Sequence, residues 1–167
     1  MALDPDSAHA LYHSGLVLER IENPDEASRC FARAHALDPH HYPLPEEVSE
    51  VFFQEVMDEA LENLPRSVRE TMQDVPVLVE DFPSSDLVHG EDVSPQILGI
   101  FIGVPRTQAS VTDQMPDLDR IILFKKNLEK LCQGREDLID QIQITLRHEV
   151  GHYLGLDEDD LERLGLA

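Results

Sequence analysis

Apolar positions along the chain follow two rhythms. Ile139, Ile142, Leu146, Val150 and Tyr153 recur at helical period, which predicts a helix over 136–154 with one face turned to a core. Thr145, His148, Glu149 and His152 fall on the opposite face. Val48, Phe52, Val56 and Ala60 form a second stripe with acids across from it, predicting a helix over 46–63 that Pro65 ends. Ser67–Met72 adds a short helical turn. Three apolar runs are shorter and predict strands: Val75–Val79, Ile97–Val104 and Ile121–Phe124. Pro76 puts the first of these at an edge or at its own start. Gly99 and Gly103 interrupt the second, as at a bulge or where another backbone comes close. An edge strand open to strand addition and a buried central strand with packing glycines both fit that run. Residues 83–96 and 105–119 read as polar loops, with His89 in the first as a spare ligand or a solvated side chain. Asn127 is expected to cap a short helix reaching Cys132, and Gly134 to separate it from the 136–154 helix.

The first forty residues carry a different pattern. Ala2-Leu3-Asp4-Pro5 recurs as Ala36-Leu37-Asp38-Pro39, a period of 34 residues, which is the length of a tetratricopeptide repeat. Leu11, Gly15, Leu18, Ala27, Phe31, Ala34 and Pro39 fall at the packing positions of such a repeat, and Gly15 and Ala27 let two antiparallel helices approach closely. Asn23-Pro24-Asp25-Glu26 spells a helix start, with Asn23 as cap, Pro24 in the first turn and Glu26 completing a capping box. Residues 6–21 and 24–37 therefore resemble one tetratricopeptide hairpin; an unrelated helical hairpin is the other reading. One such repeat does not bury its apolar face alone. Either more repeats precede it in a longer parent chain or it docks on the domain C-terminal to it, and the Ala2–Pro5 fragment favours the first. His40, His41, Pro43 and Pro45 make a stiff polar linker. The expected division is a hairpin over 1–41 and a compact α+β domain over 46–167 with a small three- to four-stranded sheet.

Composition narrows the setting more than the function. A formal net charge of −21 argues against nucleic acid and anionic membrane as partners, because phosphates would be repelled. It weakly favours cations, including metal ions and basic peptides, and it also serves solubility alone. Hydrophobic residues make up 41% and mean hydropathy is −0.29, with no apolar run of membrane-spanning length. The N-terminus lacks the basic-then-apolar segment of a secretory signal. Cys30 and Cys132 form no C-x-x-C and no disulfide framework, which suits a reducing cytoplasm.

The candidate chemistry sits in Arg147-His148-Glu149-Val150-Gly151-His152-Tyr153-Leu154-Gly155-Leu156-Asp157-Glu158. On a helix, His148 and His152 are one turn apart and project from the same face, so both imidazoles reach one Zn²⁺. Glu149 beside them is placed to take a proton from water activated at the metal. Gly155 accepts the left-handed conformation that ends a helix. The chain then turns back and brings an acidic side chain within reach.

His148-Glu149-x-x-His152-x-x-Gly155-x-x-Glu158 resembles the zincin metallopeptidase signature in its long, metzincin-like form. Residues 46–167 resemble, more narrowly, a small bacterial family of minimal zincin-like metallopeptidases, whose short domain ends soon after the motif in a run like Gly-Leu-Asp-Glu-Asp-Asp-Leu-Glu-Arg-Leu-Gly. The chain departs from true metzincins in two respects. Glu158 stands where the third histidine is usual, and Met115 lies upstream of the motif, out of order for a methionine turn. The resemblance implies a zinc-dependent peptidase: His148, His152 and Glu158 as metal ligands, Glu149 as general base, and a peptide or protein as substrate. Asp157 and Asp160 are the next candidates for third ligand. A terminal helix that merely begins with these acids is the competing reading of the same run. The alternative function is a catalytically silent metal-binding scaffold whose hairpin recruits a protein partner.

Overall fold

The computed structural model describes residues 7–90, 93–107, 119–157, 159, 160 and 163. Two compact units divide the chain, residues 1–46 and 47–167.

The first unit is a helical hairpin. Helix α1 (Ala8–Arg20) starts at Ser7, whose hydroxyl accepts from Ala10 N at 3.2 Å, and α2 (Pro24–Leu37) runs back against it. Leu16, Ala27 and Phe31 are buried between them, with Tyr12 and Leu18 packed alongside. Gly15 makes the approach possible: a Cβ there would lie 2.6 Å from Phe31 Cε1. The expected capping box does not form. Among the described residues the Asn23 side chain makes no cap hydrogen bond, and Glu26 pairs instead with Arg29 at 3.0 Å. Pro24, with its φ already fixed, is left to start α2. His41 is held by Asp38, Nδ1 to Oδ2 at 2.8 Å, which keeps the Asp38 carboxyl below its usual range.

The second unit contains α3 (Glu50–Glu62), α4 (Arg66–Thr71), β1 (Val77–Glu80), α5 (Ser85–Gly90), β2 (Gly99–Ile102), β3 (Arg120–Phe124), α6 (Lys125–Leu131) and α7 (Arg135–Leu154). Among the described residues the sheet has three strands in the order β1-β3-β2, with β3 parallel to β1 and antiparallel to β2. Central β3 supplies Ile121, Ile122, Leu123 and Phe124, all buried. On it packs α7, through Leu138, Ile142, Leu146, Val150 and Tyr153, and α3 packs on α7, adding Phe53, Val56, Met57 and Ala60 to the same core. The predicted stripe on α7 is therefore the core face, with Leu138 added to it and Ile139 only partly buried. The architecture is the α+β one expected.

Three local readings change. Helix α3 begins four residues later than its apolar stripe suggested, because Ser49 caps it by accepting from Phe52 N at 3.2 Å. Val48 N is drawn away to Glu129 Oε1 at 2.9 Å. Asn127 is not a cap: α6 follows β3 directly, and the buried Asn127 amide donates to Pro95 O at 3.0 Å and Ile97 O at 2.8 Å, pinning the approach to β2. Part of the loop expected over 83–96 is the short helix α5, started by Ser84, whose hydroxyl accepts from Leu87 N at 3.3 Å.

Candidate metal centre

Helix α7 carries the motif in its last two turns and ends where the glycine predicts. Gly155 has φ 82°, the left-handed cap, and its N–H reaches His152 O at 3.0 Å. Only glycine fits there without strain, and the space where a side chain would begin is filled by Thr107. The end of the helix is held by the segment after β2. Arg106 N donates to Tyr153 O at 3.0 Å, Arg106 Nη1 donates to Tyr153 Oη at 3.2 Å, and Tyr153 Oη donates to Thr71 O at 2.9 Å. The bond to Tyr153 holds the Arg106 guanidinium above its ordinary pKa. Tyr153 is thus a core and anchoring residue, with its ring against Phe101 at 5.6 Å between centroids.

His148 and His152 converge. Their Nε2 atoms stand 2.9 Å apart, with the rings nearly perpendicular at 86° and centroids at 4.5 Å. Two nitrogens bound to one tetrahedral Zn²⁺ at about 2.0–2.1 Å each are about 3.3 Å apart. The pair is therefore a few tenths of an ångström from chelating separation, aimed at one point, and half-buried. The donor chemistry of two imidazoles fits zinc.

Glu149 is placed differently from the sequence expectation. Its face of α7 is covered, not open: Thr145 and Glu149 are 6% and 7% exposed, because β2 lies across them. The contact is made at Gly99, where a Cβ would meet Thr145 Cγ2 at 2.8 Å and Glu149 Cγ at 3.2 Å. Glu149 Oε2 accepts from Phe101 N at 2.8 Å. Strand β2 is an edge of the described sheet, which decides between the two readings of its run, while Gly99 marks the close approach that a strand glycine signals. The Phe101 amide went unread in the sequence because a main-chain donor leaves no mark in residue identity.

The third ligand is a separate matter. Glu158 lies outside the described residues, as does Met115. Asp157 caps the next turn, its Oδ1 accepting from Asp160 N at 2.9 Å, and Asp160 pairs with Arg163. His89 is exposed, with Nδ1 bonded to Ser85 O at 2.7 Å. Among the described residues no group of three or more His, Cys, Asp or Glu side chains is gathered for a metal.

Residues 72–166 match the family described as Zincin-like metallopeptidase, which is more than half of the chain and includes the whole motif, β1–β3 and α7. The chain belongs to the zincin-like metallopeptidase family. A comparison with curated proteins finds no match. The match to the zincin-like family begins at Met72, after α4, so the hairpin stands outside it. No described helix is long and apolar enough to cross a membrane.

Proposed function

We propose that the chain is a zinc-dependent peptidase in which His148, His152 and Glu158 hold the metal and Glu149 is the general base. The observation that carries this reading is the convergence of the two Nε2 atoms at 2.9 Å beside a buried carboxylate that reaches the edge strand. Zn²⁺ held there would supply a Lewis acid for a carbonyl oxygen and would bring the pKa of a water toward neutrality. Glu149 would accept a proton from a water at the site and hand it to the departing amine. The outward edge of β2 aligns the peptide as an added strand. Tyr153, bonded to Thr71 and Arg106, fixes the end of α7 and so the position of His152.

Metal analysis of the purified chain tests the centre. The expected result is one zinc per chain in the parent, loss of zinc in His148→Ala, and retention in Glu149→Gln with peptide hydrolysis lowered roughly 10²–10⁴-fold, the usual size of a general-base contribution. A parent that takes up no zinc at neutral pH sinks the reading.

One observation favours the second reading, a metal-binding scaffold without hydrolysis: Glu149 Oε2 is already engaged by Phe101 N–H. Under either reading the hairpin is a tetratricopeptide-like module for a protein partner. Val17, Ile21 and Leu37 are exposed on it at 60%, 64% and 60%, side chains that a neighbouring repeat or a partner would cover. Cys30 and Cys132 are buried and form no disulfide, which suits a reducing cytoplasm.

A further inference from the structure

Strand β2 has an inward and an outward row of main-chain groups. Phe124 N donates to Leu98 O at 2.8 Å, and the register pairs Ile100 with Ile122 and Ile102 with Arg120. Hydrogen-bonded and non-bonded pairs alternate along an antiparallel ladder. Leu98, Ile100 and Ile102 therefore face β3, while Gly99 and Phe101 turn their N–H and C=O groups away from it. Such an outward row is a template for an added strand. At Phe101 the template is filled: Glu149 Oε2 accepts its N–H at 2.8 Å. A carboxylate oxygen stands where the carbonyl oxygen of a pairing peptide would stand, and the absence of a side chain at Gly99 is what lets Glu149 reach that position.

We propose that Phe101 N–H is the docking point for a carbonyl of an extended peptide and that Glu149 is its resident occupant. A peptide that adds to β2 exchanges its carbonyl oxygen for the carboxylate and frees Glu149 toward His148 and His152. The role of the freed base rests on the peptidase reading; the exchange itself does not. One N–H serves one acceptor well, so docking and the resident bond compete. The donor is satisfied in both arrangements, which avoids the cost of an orphaned amide. Glu149 then becomes available only when a peptide is in register.

The test monitors the Phe101 amide by NMR in the full chain, in zinc-free buffer so that nothing is hydrolysed. In the parent this amide exchanges slowly with solvent although it faces away from β3. Glu149→Ala is expected to speed its exchange roughly ten-fold or more, the scale of losing a charge-assisted hydrogen bond. The Ile100 and Ile102 amides, inside the ladder, stay unchanged. The uncharged probe acetyl-Ala-Val-Thr-Val-Ala-amide is expected to bind Glu149→Ala several-fold tighter than the parent and to shift the Phe101 amide in both. If the alanine chain fails to fold, Glu149→Gln keeps the shape with a weaker, neutral acceptor and should move both readouts in the same directions. Unchanged Phe101 exchange overturns the proposal. So does a probe that binds the variant no tighter than the parent, or not at all, since a merely structural bond would give that result. Failure of the parent to bind zinc or hydrolyse peptides would remove the peptidase reading and leave these measurements standing.

Discussion

At position 99 one methyl group decides how α7 and β2 meet. A Cβ there would lie 2.8 Å from Thr145 Cγ2, 3.0 Å from Leu123 Cδ2 and 3.2 Å from Glu149 Cγ. Overpacking of this kind costs about 1–3 kcal/mol. Gly99→Ala is expected to lower the unfolding free energy by about that amount. It should also reduce peptide hydrolysis more than zinc affinity, because the atoms displaced belong to Glu149 and Thr145 and not to the histidines. Denaturant unfolding and zinc titration of the same variant read the two effects. Zinc affinity falling in step with hydrolysis would show that the helix as a whole has shifted. Asp157 teaches a related lesson. Its place in an acidic run offered it as a ligand, and its carboxylate is instead bonded to Asp160 N.

Among the elements, α6 is the one whose role its sequence concealed. Glu129 is fully buried, with Oε1 accepting from Lys125 Nζ at 2.7 Å and from Val48 N at 2.9 Å, and with Lys126 Nζ 3.1 Å from Oε2. The Lys126 contact is an ion pair without the alignment of a hydrogen bond. Removing one partner of a buried pair strands the other charge, at about 3–5 kcal/mol. Glu129→Ala is expected to lose stability on that scale in urea unfolding, and a loss under about 1 kcal/mol would mean that water reaches Lys125. Burial pulls the Lys126 ammonium down and its pairing with Glu129, with nearby Glu47 and Asp81, pulls it up by more, so its pKa is raised. That contribution is full below the ordinary value of 10.5 and is lost as pH rises through the raised one. Helix α7, both long helices of the hairpin and all three strands were legible in the sequence, because period and β-branching report burial directly. Asn127, Glu129 and Ser49 were not, since a polar residue's partner lies elsewhere in the chain. The motif histidines were legible because their partner is one turn away. The cover over Glu149 was not, because it comes from β2, which is 48 residues distant.

On the scale of the whole molecule the two units, residues 1–46 and 47–167, each have their own buried cluster. A chain of residues 47–167 is expected to fold and to bind zinc with the affinity of the full chain, and calorimetric titration of the two side by side checks it. A loss of affinity would make the hairpin part of the metal-binding unit. Within the second unit, the contacts that shape the centre span long stretches: Tyr153 Oη meets Thr71 O across 82 residues and Phe101 N meets Glu149 across 48. Contacts of such separation close late in folding, since the entropy of a long loop must be overcome before they stabilise anything. Helix α7 can flicker into being within microseconds, and a cation present then meets two imidazoles on a bare helix. The neighbours that fix the end of α7 and cover Glu149, the Tyr153 anchor and β2, arrive only with those later contacts. If the two histidines hold zinc as proposed, a newly made chain would meet its metal before the surroundings of the site close, and the order of its folding, as much as its final geometry, would govern which ion it keeps.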